Sequence, residues 1–146
     1  MYFITGGAFN GKKRWVLTKY SYDVNDDCKW YHCYTEKNKY IMTLPYSKES
    51  TLVIEGIEKS LEEYLKNGHG TAKDFYDRYL LKLLTWEQQD EKRKLIIIGT
   101  DMTKGIVPID KDVRHFRDEL GRLYQKLVQM ADDTIIVWFG LGQSLS

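Results

Sequence analysis

The strongest constraint on the fold is the heptapeptide Gly6-Gly7-Ala8-Phe9-Asn10-Gly11-Lys12. It follows directly on the apolar run Tyr2–Thr5 and leads into Gly11 to about Tyr20, where Trp15, Val16 and Tyr20 are spaced for one helical face. G-x-x-x-x-G-K between a strand and a helix is the pattern of a phosphate-binding loop. Glycines let the backbone curl so that successive N–H groups point at phosphate oxygens. The N-terminus of the following helix adds a favourable dipole, and Lys12 reaches the outer phosphates as a point charge. The ligand expected at Gly6, Gly7, Ala8, Phe9, Asn10, Gly11, Lys12 and Lys13 is GTP or ATP. The bland alternative is a glycine turn that merely joins strand to helix. Where this motif normally has a Ser or Thr that ligates Mg2+, the chain has Lys13, whose ammonium cannot coordinate a cation. Either Mg2+ is held through phosphates, water and an acid from another strand, or metal-dependent chemistry is impaired.

Further apolar runs alternate with amphipathic segments. Cys28–Tyr34 and Lys39–Thr43 read as β-prone pieces, preceded by the polar loop 21–27 and joined by the turn TEKNK. Thr51–Glu55 and Leu95–Gly99 read as strands covered on both faces, and Thr134–Phe139 as a last apolar strand. Helices are expected over Ile57–Lys66, over Thr71–Asp90 with Thr71 as N-cap and Asp74 completing the cap, and from about Asp110 to Ala131. On the last of these, Val113, Phe116, Leu120, Leu123, Leu127 and Met130 are expected to face inward. Strand–helix alternation predicts one α/β domain over residues 1–146: a three-layer P-loop (RecA-like) fold whose mainly parallel sheet carries helices on both faces. Ligands of such sheets sit beyond the C-terminal ends of the strands, where Gly6–Lys12, Glu55–Gly56 and Gly99–Pro108 all emerge.

Composition narrows the class. With 42% hydrophobic and 29% charged residues the chain is that of a globular protein, and a net charge of +1 argues against nucleic-acid binding. The longest apolar runs fall well short of the roughly 20 residues a membrane span needs. The N-terminus lacks the pattern of a secretory signal, so a cytoplasmic location is expected.

Glu55 closes an apolar strand where a Walker-B-type acid would sit. It can hold Mg2+ through water or take a proton from an attacking hydroxyl; the alternatives are a solvated strand end or a helix cap. Cys28 and Cys33 flank His32, and a metal site there competes with two ordinary half-buried thiols. His69 lies in a glycine turn, and His115 is expected on a helix surface.

From Thr100 to Gly140 the chain runs through Gly105-Ile106-Val107-Pro108, Arg114-His115-Phe116-Arg117-Asp118, Gly121-Arg122, Gln125, Ala131-Asp132 and Gly140. With Thr5–Lys12, this order resembles the bifunctional cobinamide kinase / cobinamide-phosphate guanylyltransferase family of adenosylcobalamin biosynthesis. The resemblance implies phosphorylation of adenosylcobinamide by ATP or GTP, then transfer of GMP from GTP through a guanylylated histidine. It also implies a homo-oligomer, with a trimer as the suggested state. The catalytic residues it points to are Lys12, Glu55 and His32, the last as a relocated guanylylation site whose alternative is a strand histidine among aromatics. Asp101 matches an acidic residue of the family's active-site loop. Arg114 and Arg117 either bind phosphate or a partner subunit's loop, or pair with Asp110 or Asp118 on an exposed face. The chain departs from the family pattern at Lys13, at Tyr124 in place of Asn, and in a shortened segment before Thr51 that leaves only His32. The alternatives to this enzyme, with kinase activity ahead of guanylyl transfer, are a regulatory nucleotide-binding protein of the same family and a P-loop kinase for another small alcohol.

Overall fold

Each strand presents alternate residues to opposite faces, and in the central strands both faces are apolar, so both must be covered. The computed structural model describes residues 1–21, 27–35, 48–68, 70–102 and 105–145. Its strands are β1 Tyr2–Thr5, β2 Cys28–His32, β3 Thr51–Glu55, β4 Lys94–Ile98, β5 Asp133–Trp138 and β6 Leu141–Ser144. The sheet order is β2-β3-β4-β1-β5-β6. The first five strands are parallel and β6 is antiparallel to β5. Phe3 pairs with Ile97 on one side and Thr134 on the other.

The helices are α1 Lys12–Lys19, α2 Ile57–Lys66, α3 running through Ala72–Phe75, Tyr76–Leu80 and Leu81–Gln88, and α4 Lys111–Met130. Phe3, Leu52, Ile54, Leu95 and Ile97 turn to one face, where Ile57, Leu61, Tyr64, Phe75, Leu80, Leu120, Leu123 and Leu127 of α2, α3 and α4 cover them. Ile4, Val53, Ile96, Ile98, Ile135 and Val137 turn to the other, against Val16 and Trp15 of α1. Each such aliphatic side chain taken out of water contributes about 1.5–3 kcal/mol. The expected three-layer α/β sheet is thus the fold that forms. Thr71 starts α3 as read from the sequence, by a reciprocal cap in which Asp74 accepts the Thr71 N–H at 2.9 Å. Asp110 likewise caps α4, accepting from Asp112 N and Val113 N.

Several expectations need correction. Val113 is 52% exposed and Met130 40% exposed. At about 1.5 Å per residue the 20-residue α4 is roughly 30 Å long, against about 17 Å for a five-residue strand, so the strands cannot cover it along its whole length. Phe139 is not in a strand: it holds φ +48°, is 91% exposed, and with Gly140 turns the chain into β6, which the sequence did not announce. α3 carries one wide π turn at Tyr76–Leu80, and β2 stops at His32 rather than Tyr34. The expected strand Lys39–Thr43, most of the turn TEKNK, most of the polar loop 21–27, and His69 lie outside the described residues. Among the described residues no helix is long and apolar enough to cross a membrane.

Candidate functional site

β1 lies between β4 and β5, so the loop after it emerges at the middle of the sheet edge. Backbone hydrogen bonds tie the neighbouring loops to β1, to its loop and to one another. Gly99 N donates to Ile4 O at 2.9 Å, Asp101 N to Gly6 O at 2.8 Å, Gly56 N to Ile98 O at 2.9 Å, and Gly140 N to Asn10 O at 2.9 Å. The loops after β1, β3 and β4 enclose a cleft of about 790 Å3 whose lining includes Gly11, Lys12, Lys13, Glu55, Glu58 and Asp101.

Gly11 stands at the N-cap of α1 with φ +83°, a left-handed conformation, and brings no side chain to cap the first turn. That turn bears three consecutive cations, Lys12, Lys13 and Arg14, and no acid. Phe9 holds φ +60° with its ring fully in solvent, a strained conformation of the kind that gathers in ligand-binding loops. The Lys12 ammonium donates to Gly7 O at 2.7 Å and Gly6 O at 3.3 Å. Burial lowers its pKa, while the charges of Glu58, Glu55 and Asp101 act in the opposite direction.

Glu55 and His32 are register partners across β3 and β2. Oε2 of Glu55 accepts the Trp30 Nε1–H at 2.7 Å, lies 3.1 Å from His32 Nδ1, and is 4.0 Å from Lys13 Nζ. Trp30 stacks on His32 at 5.8 Å between centroids, and Lys13 Nζ sits 5.5 Å from the Trp30 ring. His32 is beside the cleft rather than part of its lining, its side chain 38% exposed.

In the sequence Glu58 looks like one more acid on a charged helix, and only its surroundings in the fold mark it out. It is 4% exposed; its carboxylate accepts the Tyr34 hydroxyl and, at 3.1 Å, Thr100 N. Burial, then the Glu58 charge, pushes the Tyr34 phenol well above the usual range. Tyr124 donates its hydroxyl to Thr100 O at 2.6 Å and so anchors the β4 loop. Arg117 does the same for the next segment: its guanidinium donates to Ile106 O at 2.9 Å and Gly105 O at 3.1 Å. Neither Arg117 nor the half-buried Arg114 lines the cleft. His115 is exposed, as expected. Neither Cys28 nor Cys33 is in a disulfide, and burial pushes the Cys33 thiol up to about 11. Among the described residues, no group of three His, Cys, Asp or Glu side chains converges as a metal site.

A glycine-rich loop opening a helix at the centre of a parallel sheet, with acids from the next two strands around its lysine, defines an α/β protein of the P-loop class. The chain belongs to the cobinamide kinase / cobinamide phosphate guanyltransferase family, whose model matches residues 27–145. The match begins after the glycine loop, so the loop's role rests on its own motif and geometry. The chain is also similar to the bifunctional adenosylcobalamin biosynthesis protein CobU of Salmonella typhimurium (strain LT2), at 39% identity over 49 residues. That segment is 34% of this chain and 27% of the relative, little more than a quarter of its length.

Proposed function

We propose that this protein is a nucleotide-dependent transferase of cobalamin biosynthesis that binds GTP or ATP at Gly6–Lys13 and phosphorylates adenosylcobinamide. The observation that carries the reading is the Lys12 ammonium, held on Gly7 O at 2.7 Å in a cleft that Glu55, Glu58 and Asp101 also line. In the kinase step the substrate hydroxyl oxygen attacks the γ-phosphorus, the nucleoside diphosphate leaves, and the hydroxyl proton passes to the His32–Glu55 pair. Backbone amides and Lys12 stabilise the charge that develops. With Nδ1 against Glu55, Nε2 of His32 is the nitrogen that can accept a proton or attack phosphorus. GMP transfer is the second proposed step: His32 Nε2 displaces pyrophosphate from GTP, and the substrate phosphate then takes GMP from the imidazole. Asp101 and Arg117 hold the surrounding loops, and Arg114 is assigned to phosphate or to a neighbouring subunit. A homo-oligomer fits the exposed Phe9, Ile106, Ile109 and Phe139, and a cytoplasmic location fits the nucleotide chemistry.

Mg2+ is the cofactor such chemistry ordinarily uses, and the side chains at its expected place fit it poorly. Lys13 has no lone pair to donate, and Oε2 of Glu55 is already engaged by Trp30 with His32 and Lys13 beside it.

Incubation with γ-labelled ATP or GTP and adenosylcobinamide should label the substrate, and Lys12→Ala should abolish it. Incubation with α-labelled GTP, then denaturation, should leave acid-labile label on the protein that His32→Ala loses. Nucleotide binding with neither transfer would replace this reading with that of a regulatory nucleotide-binding protein.

A further inference from the structure

We infer that the Lys13 ammonium takes the place of the divalent cation, so that this cleft binds a metal-free nucleoside triphosphate. The inference rests on the nucleotide-binding reading above. Three observations carry it. First, Lys13 occupies the motif position of the metal-ligating hydroxyl, and its Nζ reaches to 4.0 Å from Oε2 of Glu55 and 5.5 Å from the Trp30 ring centroid. The negative charge that would otherwise face a hydrated ion already faces a side-chain cation. Second, that oxygen accepts the Trp30 Nε1–H at 2.7 Å and lies 3.1 Å from His32 Nδ1, which leaves it little capacity for a metal-bound water. Third, Lys12, Lys13 and Arg14 form the first turn of α1 without an acid. Cations at a helix N-terminus oppose the helix dipole, and a bound polyanion removes that conflict. All three line the cleft, opposite Glu55, Glu58 and Asp101, so a phosphate chain bound there meets three positive side chains.

The test is calorimetric titration of GTP and ATP into the full chain, in EDTA and in excess Mg2+. The wild type should bind in EDTA within about threefold of its affinity in Mg2+. Losing one ammonium–phosphate contact in Lys13→Ser should weaken binding in EDTA by about tenfold or more, with recovery in Mg2+. Lys13→Arg should keep the wild-type tolerance of EDTA. The Lys13 side chain is half exposed, so circular dichroism should find both variants folded; the wild-type comparison decides the matter without either. Wild-type binding that collapses in EDTA and returns with Mg2+ overturns the inference and leaves the nucleotide reading intact. Lys13→Ser binding as tightly as wild type in EDTA overturns it as well. Absence of binding in both buffers sinks the nucleotide reading itself.

Discussion

Gly6→Ala should be among the most damaging single-methyl additions available to this chain. Gly6 holds φ +143°, and a Cβ built there lies 2.4 Å from Val137 O and 3.3 Å from Val137 C. An L-residue in that conformation carries a penalty of about 1–3 kcal/mol. The clash is with backbone rather than with a side-chain tip. β5 is hydrogen-bonded to β1 on one side and β6 on the other, so it cannot retreat without loosening a ladder. Overpacking of this kind costs a further 1–3 kcal/mol or so. The sum, roughly 4 kcal/mol, is a large part of the 5–15 kcal/mol that holds an ordinary domain together, and corresponds to about 10 °C in Tm. Gly7→Ala is the internal control: its Cβ would meet only Asn10 Nδ2, a mobile side-chain end, at 2.8 Å. Thermal unfolding followed by circular dichroism, with urea titration of the same proteins, measures both. If Gly6→Ala is within about 1 kcal/mol of wild type, or Gly7→Ala loses as much, the packing argument for the loop root is wrong.

Three further outcomes follow from particular contacts. Glu119, with a side chain 7% exposed, accepts Ala72 N at 2.8 Å and Arg122 Nη1 at 2.6 Å, so Glu119→Ala should cost about 2–3 kcal/mol in urea and Glu119→Gln about half that. Tyr124→Phe strips the bond to Thr100 O and should cost about 1–2 kcal/mol, read as a lower Tm. The Asp74 carboxyl is held below the usual range by hydrogen bonds from Thr71 N and Oγ1. A depressed folded pKa means the cap contributes fully above the unfolded carboxylate range and is lost as pH falls through the folded value. Asp74→Asn should therefore flatten the acid side of the Tm–pH profile.

The site was partly legible. Lys12 stands out because it closes a G-x-x-x-x-G-K loop and Glu55 because it ends an apolar run, and both line one cleft because parallel strands share an edge. Glu58 could not: in the helix sequence Ile57–Lys66 it resembles Glu62 and Glu63, and it is buried where Tyr34 and the loop after β4 both meet it. Nor does any local pattern say that His32 falls opposite Glu55; that is a matter of strand register. The edge strand β6, LGQS, lacks the β-branched and aromatic residues that mark a strand, and it forms because β5 presents an open ladder. Val113 and Met130 keep the helical spacing of core residues yet are exposed, near the two ends of a helix longer than the strands it covers.

By itself the sequence determined most of the elements, the two-faced apolar strands, the cap at Thr71, and a glycine loop of the phosphate-binding pattern. These depend on neighbours a few residues apart, where periodicity and backbone freedom act directly. Only the tertiary structure decided that Glu58 is buried, that Glu55 joins Trp30, His32 and Lys13, and that Tyr124 holds the β4 loop. Those contacts join residues far apart in the chain, and the packing of the sheet, not any local preference, chooses which of them meet.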